Sequence, residues 1–233
     1  MEAQYKKLSI IIPCYNEKNT ILKLLSEVKN SKISLEKEII IIDDCSTDGT
    51  QKILNNLNDQ EIKIFFNQKN MGKGYSIRNG FDKATGQIMI IQDADLEYDP
   101  NDYSNLLQPI LDNNADVVYG SRFIGDQPDK FFFFSHYVGN KFLTFASNLF
   151  TGLKITDMET CYKVFTKSIY DRIHLYENRF GFEPEFTAQI GKLNCRVTEI
   201  PISYKSRDYD EGKKITWKDG VRALLLIIKY GIR

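Results

Sequence analysis

"IMIIQDADLEYDP", Ile88–Pro100, is an apolar strand that runs straight into three carboxylates on alternate positions, Asp93, Asp95 and Glu97. Acids this close repel one another and cost stability unless a positive charge offsets them. In extended chain the three share one face, because side chains alternate along a strand. A hard divalent cation, with waters and phosphate oxygens completing its shell, fits such a face. The rival is a solvated acidic loop, which an apolar strand leading directly into the acids disfavours.

Upstream of this stretch, strand and helix patterns alternate. "LSIII" (Leu8–Ile12) is a buried strand ended by Pro13, and Ile21, Leu24, Leu25 and Val28 then fall at helical spacing. "EIIIID" (Glu38–Asp43) is a second strand, and "STDGT" opens a helix carrying Ile53, Leu54 and Leu57. "IKIFFN" is a third strand, Tyr75–Ala84 a helix, Ile88–Gln92 the fourth strand and "ADVVYGS" the fifth, after a helix over "PNDYSNLLQPILDN". This order predicts an α/β fold with a mostly parallel, doubly wound sheet. The second half is less regular: a helix at Phe134–Phe150, a strand at Arg196–Tyr204 and a last helix at Trp217–Tyr230. One domain over 1–233 is expected, with a nucleotide-sugar-binding half (1–122) and an acceptor-binding half (123–233).

In open parallel sheets, ligands gather at the carboxyl ends of the strands. Here four strands end in polar clusters, "PCYNE", "DDCSTDG", "NQKNMGKG" and "DADLE". One cluster makes a turn; four on one edge make a site. Asp48 and Gly49 have turn chemistry. Asp43 and Asp44, directly after four isoleucines, are placed to hydrogen-bond a base or ribose. "NMGKG" is not a P-loop, since GxxxxGK[ST] and GxGxxG are both absent. Lys73 and Arg78 either reach a diphosphate from the start of that helix or belong to its solvated face.

Composition narrows the class. With 42% hydrophobic and 27% charged residues the chain is an ordinary globular one, long enough for a real core. Thirty-one basic and 31 acidic residues give zero net charge, which argues against a general nucleic-acid binder. Cys14, Cys45, Cys161 and Cys195 lie far apart, with no CxxC and only two histidines, so reduced thiols are expected rather than a zinc site. The N-terminus lacks a signal-peptide pattern, and the apolar runs are too short for a membrane span. A cytoplasmic protein, or one at the cytoplasmic face of a membrane, is expected.

"SIIIPCYNE", "IIDDCSTDGT", "NMGKGYSIRNGF", "QDADLEYDP" and "YGSRF" together resemble the family 2 glycosyltransferases of GT-A fold. "TDMETCYKVF", "RFGFEPEFTAQI", "EIPISYKSR" and "EGKKITWKDG" extend the likeness almost to the C-terminus, towards the polyprenyl-phosphate, dolichol-phosphate mannosyltransferase-like group. The resemblance implies that Pro13, Tyr15, Glu17 and Asp44, with Asp43 beside them, hold the nucleoside. It makes Asp93 and Asp95 the DxD that, with Glu97, places Mg²⁺ or Mn²⁺ on the donor diphosphate, with Asp95 and Glu97 as the metal ligands and Asp93 and Ala94 on the nucleotide sugar. Arg122 and Arg207 would meet phosphate, and Asp157 and Glu159 would face the acceptor. Cys45 departs from the family, which often has glycine there. So does the lack of the transmembrane helices that many polyprenyl-phosphate enzymes carry.

The implied reaction is an inverting transfer from a nucleotide sugar, in which negative charge builds on the leaving diphosphate. A polyprenyl phosphate acceptor needs no general base, only cations to position it. A glycan hydroxyl needs a carboxylate base, for which Asp157 is the candidate. Two other classes stay open: a nucleotidyltransferase, which would usually carry a glycine-rich loop after its first strand, and a non-catalytic sugar-nucleotide binder. Oligomerisation is left open. Along the last helix, Trp217, Val221, Leu224, Leu225 and Ile228 make an apolar stripe beside Lys218, Arg222, Lys229 and Arg233. Such a helix either lies on an anionic membrane, with "KFFFF" (Lys130–Phe134) as a second anchor, or packs its apolar stripe on the sheet.

Overall fold

The computed structural model describes residues 5–125, 134–206 and 217–232, without side chains at 134–136 and 217. Arg207, Arg233 and residues 130–133 lie outside the described residues. The first half alternates as its sequence predicts: β1 (Lys7–Cys14), α1 (Ile21–Asn30), β2 (Glu36–Asp43), α2 (Thr50–Asn55), β3 (Ile62–Phe66), α3 (Lys73–Lys83) and β4 (Ile88–Ile91). A 3₁₀ turn at Pro100–Asp102 leads into α4 (Tyr103–Leu111) and β5 (Val117–Ser121). The second half holds α5 (Phe134–Thr151), β6 (Lys163–Thr166), α6 (Lys167–Tyr170), α7 (Phe182–Gly191), β7 (Val197–Pro201) and α8 (Trp217–Gly231).

The seven strands form one sheet in the order β3-β2-β1-β4-β6-β5-β7. All pairings are parallel except those of β6, which runs antiparallel between β4 and β5. The sheet is therefore mostly parallel, as expected, with one reversed strand that the sequence reading did not include. Isoleucines fill β1, β2 and β4 without alternation because helices cover both faces. The order reverses at β1, between β2 and β4. A doubly wound sheet opens its ligand crevice at that point.

A buried carboxylate interrupts this core. Glu38 in β2 is 4% exposed. It accepts from Ser9 Oγ (2.5 Å), Lys63 Nζ (2.6 Å), Thr85 N (2.8 Å) and Thr85 Oγ1 (2.9 Å), joining β1, β3 and the turn before β4. Burial pushes its carboxyl up, but Lys63, Ser9 and Thr85 outweigh burial and bring it down to about 2. A depressed carboxyl stabilises the fold above its unfolded pKa and loses that contribution as pH falls towards the folded value. Glu38→Gln should therefore cost about 2 kcal/mol at pH 7. In urea titrations the gap to the native protein should close as pH drops from about 5 towards 2; a gap that stays constant would refute the assignment.

α8 corrects the expected helix faces. Its packed side is Ala223, Leu226, Ile227 and Tyr230, whereas Val221 (51%), Leu225 (62%) and Ile228 (38%) are exposed. The described basic residues stay exposed, and two of them, Arg222 and Lys229, pair with Glu177 at 3.0 and 3.1 Å.

Candidate active site

The loop after β1 is fixed by the loop after β2. Asn16 N donates to Ser46 Oγ (2.9 Å) and Glu17 N to Thr50 Oγ1 (2.9 Å), while Glu17 Oε2 accepts from Thr20 Oγ1 (2.7 Å). Pro13 and Cys14 lie opposite Ile42 and Asp43, so Pro13, Tyr15, Glu17 and Asp43 gather at one edge. Asp43 has no exposed surface. Its Oδ2 accepts from Ser46 N and Gln51 Nε2, and its Oδ1 is buried without a partner among the described residues. An orphaned carboxylate oxygen suits the N–H of a nucleobase.

Asp44, expected to hold the nucleoside, is also bonded within the protein. Its Oδ1 accepts from Asn67 Nδ2 and Met71 N (both 2.8 Å), and its Oδ2 from Gly72 N (2.7 Å). The carboxylate shapes the loop into α3. The glycines of "NMGKG" serve the same packing. A Cβ on Gly72 would stand 2.3 Å from Asn178 O, and one on Gly74 2.3 Å from Glu177 O. Gly74 N and Tyr75 N donate to Arg179 O and Asn178 O, so the start of α3 is closed by residues 177–179. Arg78 donates to Glu177 O and, at 2.6 Å, to Asn178 Oδ1. It braces this loop and does not face a diphosphate.

Lys73 is likewise committed, 2.9 Å from Asp93 Oδ1 and 3.2 Å from Glu183 Oε1. Burial would discharge it, but the Asp93 and Glu183 carboxylates outweigh burial and hold its pKa well above the usual lysine value. The offset for Asp93 is thus a lysine. The three acids also do not share an extended face. Ala94–Asp95 turn, Leu96 adopts φ 63°, and Asp95 Oδ1 accepts from Glu97 N at 3.1 Å. Among the described residues no group of three or more His, Cys, Asp or Glu is arranged to hold a metal. Asp95 and Glu97 remain as two hard oxygen donors in one turn. That set fits Mg²⁺ or Mn²⁺, since Mg²⁺ typically takes one or two carboxylates and completes its shell with water and substrate phosphate.

Across the sheet, Arg122 at the end of β5 meets Asp157. Nε lies 2.7 Å from Oδ2, one Nη 2.8 Å from Oδ1, and the Arg122 backbone N–H also donates to Oδ2. The two side chains are 8% and 0% exposed. Asp157, expected as a base, is spent on orienting Arg122. The guanidinium stacks 5.1 Å from the centroid of the Tyr204 ring, whose hydroxyl donates to Glu97 Oε2 at 3.0 Å. Tyr204 therefore ties the acidic turn to the arginine. Sequence reasoning missed it, along with Glu183 and with Gln92, which accepts from the hydroxyls of Tyr103 and Tyr162. The signal lay in quoted stretches, "EIPISYKSR" and "RFGFEPEF", read for other residues.

Residues 9–174 match the family described as Glycosyl transferase family 2. The chain belongs to glycosyl transferase family 2. Among its relatives in that family, a dolichol-phosphate mannosyltransferase of Pyrococcus furiosus is 26% identical, over 89% of this chain and 59% of its own. A UDP-N-acetylglucosamine–dolichyl-phosphate N-acetylglucosaminyltransferase of Methanococcus voltae is 27% identical, over 97% of both chains. A low-salt glycan biosynthesis hexosyltransferase of Haloferax volcanii is matched over 51% of its length, so the family 2 chain spans only about half of that relative. In fold, it superposes on glucosyl-3-phosphoglycerate synthase of Mycobacterium tuberculosis, crystallised with Mn²⁺, UDP and phosphoglyceric acid. The TM-score is 0.72 at 15% identity, over 97% of this chain and 78% of that one.

Proposed function

We propose that this family 2 chain transfers a hexose, with inversion, from a nucleoside diphosphate sugar to a polyprenyl phosphate. The observation that carries the reading is Tyr204, whose hydroxyl touches Glu97 and whose ring lies against Arg122. It sets a donor-side carboxylate and an acceptor-side cation next to one another. Asp43 Oδ1 would accept from the base, and Asp95 and Glu97 would hold Mg²⁺ or Mn²⁺ on the diphosphate. That ion supplies Lewis-acid stabilisation to the leaving group. Arg122, locked by Asp157 along one edge of its guanidinium, presents its other edge to the acceptor phosphate, with Arg207 as a second cation. A phosphate oxygen is already anionic and needs no base. This favours a phosphate over a glycan hydroxyl, because Asp157 is occupied by Arg122.

A lipid acceptor places the reaction at a membrane surface, read here as the cytoplasmic face. Among the described residues no helix is long and apolar enough to cross a membrane. Two exposed stripes support surface contact: Val138, Phe142, Phe145 and Leu149 on α5, and Val221, Leu225 and Ile228 on α8, with Ile232 just beyond its end. The helices meet where Phe150 lies against Gly231.

The test couples binding and transfer. A nucleoside diphosphate at about 100 times its dissociation constant should add roughly 2.7 kcal/mol of stability, read by thermal shift with and without Mn²⁺. Labelled sugar should then move to undecaprenyl or dolichyl phosphate in anionic vesicles. Transfer to a glycan hydroxyl with none to either lipid would overturn the acceptor.

A further inference from the structure

Glu159 is a half-buried acid, its Oε1 buried, that the mechanism above leaves unused. It sits in a turn between Asp157, which holds Arg122, and β6. The antiparallel register sets Val164 against Ile90 and Phe165 against Met89. Continued past the strand ends, that register carries residues 159–161 alongside Asp93–Asp95. Side-chain contacts agree: Tyr162 OH donates to Gln92 Oε1 at 2.7 Å, the Cys161 thiol lies 3.8 Å from Ile91 O, and Cys161 N donates to Tyr98 OH at 3.0 Å. Glu159 therefore lies between the donor-side turn and the Arg122–Asp157 pair.

Two consecutive residues here carry buried oxygens without partners among the described residues, Glu159 Oε1 and Thr160 Oγ1, and Thr160 has no exposed surface. Buried polar atoms are nearly always paired, so an orphan beside a ligand crevice is a candidate contact for what binds there. The neighbouring cations do not supply it. Lys163 Nζ donates to the backbone carbonyls of Met158 and Thr160, and Lys73 is held by Asp93 and Glu183. Burial, reinforced by the nearby Glu183 carboxylate, pushes the Glu159 carboxyl up to about 8. A hydroxyl both donates and accepts, so it suits either protonation state of this carboxyl.

We propose that Glu159 is a sugar-recognition residue, its Oε1 hydrogen-bonding a hydroxyl of the hexose that lies between the donor diphosphate and Arg122. The inference rests on the transferase reading and adds to it the group that senses the sugar.

Calorimetric titration separates the two. The probes are UDP, GDP, UDP-glucose, UDP-N-acetylglucosamine and GDP-mannose, with native protein, Glu159→Gln and Glu159→Ala. For the preferred nucleotide sugar, Glu159→Ala should weaken binding roughly 10-fold or more, with Glu159→Gln between it and the native protein. Affinity for the bare nucleoside diphosphate should stay within about two-fold, which also shows that the variant is folded. A donor lacking the recognised hydroxyl should bind native protein and Glu159→Ala alike. Equal losses for sugar and bare nucleotide, or no loss at all, would overturn the role of Glu159. Native protein that binds none of the five probes would overturn the transferase reading, and this inference with it.

Discussion

Asp157→Ala should lower the folding free energy by about 3–5 kcal/mol, the range seen when one partner of a buried ion pair is removed. Arg122 is 8% exposed at its side chain and both of its charged contacts go to Asp157, which also accepts the Arg122 backbone N–H. Removing the carboxylate strands a guanidinium in a site that water barely reaches. Urea unfolding should show the loss, and Arg122→Leu added to Asp157→Ala should recover part of it by withdrawing the stranded charge. Kinetics then separate a positioning role from a base. If Asp157 only holds Arg122, the conservative Asp157→Asn should impair acceptor phosphate binding while the pH profile of turnover keeps its shape. A lost ionisation in that profile would return Asp157 to the role of base.

The strands of the first half were legible because buried parallel strands need unbroken apolar runs, and Ile39–Ile42 and Ile88–Ile91 supply them. The polar clusters at their ends announced the crevice. β6 was not legible, because Lys163–Thr166 is four residues long and begins with a buried lysine. α7 was hidden because Glu183 and Glu185 are buried, which removes the polar face that marks a surface helix. Glu183 answers Lys73, and Glu185 accepts from the backbone N–H groups of Tyr176 and Glu177. The same blindness affected the site. Asp44 and Arg78 have residue types that bind substrates, yet both also make bonds within the protein that the sequence did not announce, Asp44 in the loop into α3 and Arg78 at Asn178. Residue type shows what a side chain can bind. Only the fold shows what has already bound it.

Asp95→Asn should leave the fold standing and cost at least about 100-fold in turnover, equivalent to roughly 2.7 kcal/mol of transition-state stabilisation. The side-chain oxygen of asparagine can still accept the Glu97 backbone N–H that Asp95 Oδ1 accepts at 3.1 Å, so the turn keeps its shape. What is lost is charge at the atom proposed to meet the cation. Two readouts follow. Direct Mn²⁺ titration in the presence of UDP should show weaker metal binding in the variant, and turnover should recover in part as Mn²⁺ is raised. Asp93→Asn should behave differently, because Asp93 faces Lys73 at 2.9 Å: it should release the lysine's charge into the site and leave Mn²⁺ affinity nearly unchanged. The two substitutions lie two positions apart and remove the same charge, so their contrast isolates geometry from net charge. Undiminished turnover and metal affinity in Asp95→Asn at limiting Mn²⁺ would take the ion away from this turn, and would leave Asp95 as the residue that merely caps it.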